Sequence, residues 1–147
     1  SDHAGYAPKE RVTRELDRLG HTVADLGTAS GTESVDYPDF AIPVGERVAA
    51  GDAERGVVIC ATGIGASIAA NKVAGVRASV VTSDDTARLT RQDNDSNVLA
   101  LGGRTTASPE DALRWLRIWL ETPFAGGRHE RRVKKIESYE TDHSLKR

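Results

Sequence analysis

The apolar run Gly56-Val57-Val58-Ile59 ends on Cys60, the chain's only cysteine, then passes through Ala61-Thr62-Gly63-Ile64-Gly65 into the small-residue stretch Ala66 to Lys72. The pattern predicts a buried strand, a glycine loop and a helix start in immediate succession. A strand without a polar face must be covered on both sides, which directs it into a parallel sheet with helices above and below. The same junction sets a thiol beside backbone N–H groups, the makings of an anion site with a candidate base or nucleophile.

The rest of the chain repeats the alternation. Pro8 with Val12, Leu16 and Leu19 describes an amphipathic helix closed by Gly20, and Thr22 to Gly27 reads as a short strand. Pro38 opens a second helix carrying Ala41, Val44 and Val48, and a third spans about Ala66 to Val73. Strands are expected at Val76 to Thr82 and Asn97 to Leu101, separated by a helix and by the polar stretch Arg91 to Asn97, read as a loop. Ser108-Pro109-Glu110-Asp111 supplies an N-cap, a proline at N1 and first-turn acids for the last long helix. The fold expected is a Rossmann-like three-layer α/β sandwich on a five-stranded parallel sheet, with four strands in this sequence and the first ahead of residue 1. One domain over 1–140 and a frayed tail at 141–147 complete the reading.

With 147 residues and 38% apolar content, the chain can bury one core but not two. A net charge of -2 gives no global attraction to nucleic acid or to anionic membranes. A single cysteine, with neither a spanning segment nor a leader-like stretch in view, points to a cytoplasmic setting. No spacing of His, Cys, Asp or Glu resembles a metal site.

In a parallel α/β sheet ligands bind beyond the carboxyl ends of the strands, so the residues there carry the chemistry. Those are Asp2-His3, Cys60 to Ser67, Ser83 to Asp85, and Gly102 to Arg104. Cys60 reads as a buried structural thiol or as a reactive one, and Gly63 and Gly65 favour the second. A phosphatase loop would need an arginine where Ser67, Ile68 and Ala69 stand. A dinucleotide site is hinted at by Gly63-Ile64-Gly65 and by Asp84-Asp85 about twenty residues later, but Ile68 replaces the third glycine. Arg128 and Arg132, four apart, could grip a phosphate if their segment is helical. Asp2-His3 and Asp36-Tyr37-Pro38 each suit either a helix cap or a ligand contact.

Taken together, Ser-Asp-His-Ala-Gly at 1–5, Asp-Tyr-Pro at 36–38, Cys-Ala-Thr-Gly-Ile-Gly-Ala-Ser at 60–67, Asn-Asp-Ser-Asn at 94–97 with Gly-Gly-Arg at 102–104, and Gly-Gly-Arg-His-Glu-Arg-Arg-Val at 126–133 make the chain resemble the ribose-5-phosphate isomerase B family. That family also contains the subunits of galactose-6-phosphate isomerase. The resemblance implies metal-free, cofactor-free interconversion of phosphorylated aldoses and ketoses through an enediolate. Cys60 would be the base between C1 and C2 and Thr62 a proton relay. The N–H groups of Gly63, Ile64, Gly65, Ala66 and Ser67 would hold the oxyanion. Arg128 and Arg132 would bind phosphate with help from His3 and Arg104, while Asp2, Tyr37 and Asn94 would touch the sugar. The resemblance also implies a homodimer or tetramer with its active site at the subunit interface, the region of Asp93, Asn94 and Arg104 serving the partner.

One position departs from the pattern. Asp93 stands where the ribose enzymes carry the histidine that opens the sugar ring, and a carboxylate is a poor proton donor near neutral pH. Three explanations stay open: Asp93 works in an unusual protonation state, another group opens the ring, or the substrate needs no opening. Erythrose or erythrulose 4-phosphate would meet the last condition, because its O4 is esterified; a hexose 6-phosphate and a non-catalytic phosphosugar-binding role are further alternatives.

Overall fold

The computed structural model describes residues 1–144. In chain order the elements are α1 (Tyr6–Arg18), α2 (Pro38–Ala49), β1 (Gly56–Cys60), α3 (Ile64–Ala70), β2 (Ala78–Val80), α4 (Asp84–Asn94), β3 (Val98–Gly102), α5 (Pro109–Glu121) and α6 (Arg128–Ser144). The strands are parallel in the order β1-β3-β2, with Gly56 opposite Val98, Cys60 opposite Gly102 and Val80 opposite Ala100. Every residue of the central β3 is buried.

Because side chains alternate across a strand, the sheet feeds two different cores. Val58, Cys60, Val98 and Ala100 meet the small residues Ala41 of α2 and Ala66, Ala69 and Ala70 of α3. On the opposite face Ile59, Leu99 and Leu101 pack against Val12 of α1, Ala87 of α4, and Trp115, Leu116 and Trp119 of α5. Trp119 is fully enclosed, and its indole N–H donates to the equally enclosed Ser96 hydroxyl at 2.9 Å. Burying such side chains contributes roughly 1.5–3 kcal/mol each, which makes this face the heavier half of the core. Among the described residues no helix is long and apolar enough to cross a membrane.

The α/β class holds, and several details are corrected. Three strands form among the described residues, where four were expected. Residues 22–27 make no strand, as they pair with no ladder among the described residues; nearby, Asp2 N–H reaches Ile59 O at 3.3 Å and Thr28 N–H bonds Ser1 O at 3.0 Å. The supposed loop from Arg91 is helical as far as Asn94. Ser83 and Thr86 form a reciprocal capping box that starts α4 firmly, and Asp95 at φ +48° ends it, with Ser96 N–H bonding back to Thr90 O. Arg91, nearly enclosed, ties that end down by donating to Asp95 Oδ1 at 2.8 Å and to Ser96 O. Residues 141–144, read as the start of a frayed tail, form the last turn of α6; residues 145–147 lie outside the described part.

Candidate active site

The carboxyl end of β1 delivers Cys60, 3% exposed, into the turn that starts α3. Gly63 makes this turn possible: its φ is +77°, and a Cβ there would stand 2.9 Å from the carbonyl carbon of Leu101. The turn brings Gly63 N–H to the Cys60 sulfur at 3.2 Å. Two further bonds clamp the loop to the end of β3, from Gly103 N–H to Cys60 O at 2.7 Å and from Arg104 N–H to Ala61 O at 2.9 Å.

Five N–H groups were expected to face a ligand oxygen, and the structure reduces them to two. Gly63 is committed to sulfur, Ile64 donates to Thr62 Oγ1 at 3.2 Å, and Ser67 N–H bonds Gly63 O at 3.0 Å in the first helical turn. Gly65 and Ala66 have N–H groups without a partner among the described residues. The Ser67 hydroxyl is also occupied, donating to Ile64 O at 2.8 Å. Tyr37, at the start of α2, lays its ring on this loop so closely that a Cβ on Gly65 would sit 2.5 Å from Tyr37 Cζ.

Asp2 and His3 lie at the same end of the sheet. Asp2 is buried, and its Oδ1 accepts Gly5 N–H at 3.1 Å in the turn that leads into α1. His3 Nδ1 accepts the Val35 N–H at 3.1 Å. A neutral ring held this way carries its proton on Nε2 and presents it as a donor.

A second group gathers elsewhere. Helices α4 and α5 leave the carboxyl ends of their strands and run back, so the end of α4 and the start of α6 lie at the amino ends of the strands. Ala125 N–H bonds Gln92 O at 3.0 Å and joins the two segments. Asp93, Asn94, Arg128 and Arg132 are found here, and both arginines are exposed without an ion-pair partner among the described residues. Asp93 is not alone: its Oδ1 stands 3.5 Å from Nε2 of His129 and accepts Gln92 Nε2–H at 3.3 Å. Sequence reasoning had given His129 no role, although its place directly after Arg128 was visible. Arg104 does not join Asp93 and Asn94 as expected; its backbone is fixed at the Cys60 end.

The predicted residues thus fall into two groups at opposite ends of one sheet. Two clefts on the described surface, one of about 210 Å³ between α1 and α5 that Gly102 and Gly103 line, and one beside α6 at Arg77, include neither Cys60 and its loop nor Asp93, Arg128 or Arg132.

A parallel α/β sheet with a glycine-turned loop and unpartnered N–H groups beyond β1 is the architecture of proteins suited to holding an anionic small molecule at the strand ends. Comparison with known proteins narrows this. Residues 1–136 match the Ribose/Galactose Isomerase family model, and the chain belongs to that family of sugar-phosphate isomerases. Ribose-5-phosphate isomerase B of Escherichia coli is 44% identical over 139 residues, covering 95% of this chain and 92% of that protein. The solved Clostridium thermocellum ribose-5-phosphate isomerase B superposes with a TM-score of 0.93 at 48% identity, over 97% of this chain and 95% of that one. The Mycoplasma genitalium enzyme with bound ribulose 5-phosphate gives a TM-score of 0.92 at 39% identity, covering 97% and 93%.

Proposed function

We propose that the chain interconverts ribose 5-phosphate and ribulose 5-phosphate, with each active site built from two copies in a homodimer or tetramer of the cytoplasm. The observation that carries this is the Cys60 sulfur, fixed by Gly63 N–H beside the two unpartnered N–H groups of Gly65 and Ala66. In the open-chain aldose, Cys60 removes the C2 proton, the electron pair moves into a C1–C2 double bond, and negative charge collects on the C1 oxygen. The Gly65 and Ala66 N–H groups stabilise this enediolate, a contribution of about 3 kcal/mol per well-placed donor. Thr62 Oγ1 passes the O2 proton to O1, and the sulfur returns its proton to C1, so no atom is gained or lost. Asp2, His3, Tyr37 and Asn94 orient the sugar.

Arg128 and Arg132 hold the phosphate as a bidentate, permanently charged pair. They stand at the other end of the sheet from Cys60, and a five-carbon substrate cannot span one chain. A second copy supplying its arginines to the first copy's loop completes the site. The test is turnover of ribose 5-phosphate by the purified chain and by Cys60→Ser, with binding of the sugar phosphate measured alongside. Loss of turnover with retained binding is the expected result. Full activity in Cys60→Ser removes sulfur as the base.

A further inference from the structure

An aldose 5-phosphate spends most of its time as a furanose closed through O4, and its C2 proton becomes acidic only when C1 is a free aldehyde. Opening that ring needs a proton delivered to O4. In the half-site around α6 the candidates are few. The two arginines keep their protons at any working pH, Asn94 is an amide, and Asp93 is a carboxylate. An imidazole is the side chain suited to proton transfer near neutral pH, and one is present: His129, its side chain 13% exposed, with Nε2 3.5 Å from Asp93 Oδ1. The bond from Ala125 N–H to Gln92 O fixes the two segments that carry this pair.

Position along the substrate agrees. O4 is four bonds from phosphorus, at the phosphate end of the sugar, whereas C1 and C2 lie at the far end. His129 stands between Arg128 and Arg132 in the first turn of α6 and is therefore at the phosphate end.

Resting on the isomerase reading above, we propose that His129 is the catalytic acid that opens the furanose and that Asp93 is its positioning residue. The Asp93 carboxylate faces Nε2–H, and in the protonated ring Nδ1–H is then the free donor. In the step, the Nδ1 proton goes to O4, the C1–O4 bond breaks with its electron pair on O4, and the O1–H pair becomes the second bond of the C1 aldehyde. The O1 proton leaves to water, and water reprotonates the imidazole. Asp93 then needs no proton of its own.

The test compares the two directions. Ribulose 5-phosphate has its O5 esterified, forms no furanose, and needs no opening; its product leaves as the open aldehyde and closes in solution. His129→Gln confines the enzyme to the open aldehyde. Both directions share one equilibrium constant, so the defect is read at high enzyme concentration, where spontaneous ring opening cannot keep up and ribulose 5-phosphate consumption still rises in proportion to enzyme. The His129→Gln rate on ribose 5-phosphate should stop rising with enzyme concentration there, whereas the wild-type rate keeps rising. Asp93→Asn should keep a reduced rise with enzyme on ribose 5-phosphate, and Asp93→His added to His129→Gln should restore the rise. A His129→Gln rate on ribose 5-phosphate that keeps rising in proportion to enzyme, as on ribulose 5-phosphate, overturns this inference and leaves the isomerase reading intact. A wild-type protein inert on both sugars overturns the two together.

Discussion

Replacing Gly63 by alanine tests whether the Cys60 turn is held by conformation alone or also by lack of space. At φ +77° an L residue sits in the left-handed region, costing about 1–2 kcal/mol. The new methyl carbon would also stand 2.9 Å from Leu101 C, 3.1 Å from Leu101 O and 3.2 Å from Gly102 N. All three atoms belong to the backbone of β3, which is bonded to β1 on one side and β2 on the other and cannot retreat. Overpacking of this kind costs about 1–3 kcal/mol, so the whole loss should be about 2–5 kcal/mol. Gly51 is the control, with φ +81° and nothing within 4 Å of its Cβ, so that Gly51→Ala carries only the conformational cost. Urea unfolding at one protein concentration, with midpoints and slopes compared, separates the two. Equal losses in both variants would refute the steric argument, and a Gly63→Ala loss below about 1 kcal/mol would refute the conformational one as well.

Two further outcomes follow from the ion pairs and the buried indole. Hydrogen bonds from Arg18 and then Arg117 lower the Glu15 carboxyl from its ordinary 4.5 to about 2. The folded value lies below the unfolded one, so this stabilisation is complete above about pH 4.5 and is lost as pH falls toward 2; melting should show Glu15→Gln less stable than wild type near neutrality, with the gap closing in acid, and a gap independent of pH would contradict the assignment. Trp119→Phe leaves the enclosed Ser96 hydroxyl without its 2.9 Å donor and should cost about 1–3 kcal/mol, of which adding Ser96→Ala should recover part; strictly additive losses would show that the bond contributes nothing.

What could be read from sequence was local. The β1 run, the N-cap at Ser108, and Pro38 at the head of α2 each declare themselves through side chains within a few residues, and Ser108 Oγ does accept Asp111 N–H at 3.1 Å. Thr22 to Gly27 misled because a strand is defined by its neighbour, and alternation in one segment says nothing about who pairs with it. Arg91 to Asn94 looked like a loop because the helix is polar on the surface, whereas its stability comes from caps at Ser83 and Asp95 and from Arg91 reaching distant carbonyls. In the site, the type and order of residues named Cys60 and its loop. Sequence could not show that Gly63, Ile64 and Ser67 spend their N–H groups internally, nor that Asp93 faces His129 from another helix, because both depend on three-dimensional closure.

The separation of Cys60 from Arg128 and Arg132 has a genetic side. If each copy lends its loop to one reaction centre and its arginines to another, a chain ruined only at Cys60 still carries a sound arginine half. A chain ruined only at Arg132 still carries a sound loop. Two such alleles, each silent by itself, would cure one another in a mixed pair, which holds one intact centre and one doubly broken centre. Both lesions placed on a single copy would rescue nothing when that copy is paired with itself. The unit on which selection acts is then the pair of chains, and the harm done by a mutation depends on which end of the sheet its partner has kept whole.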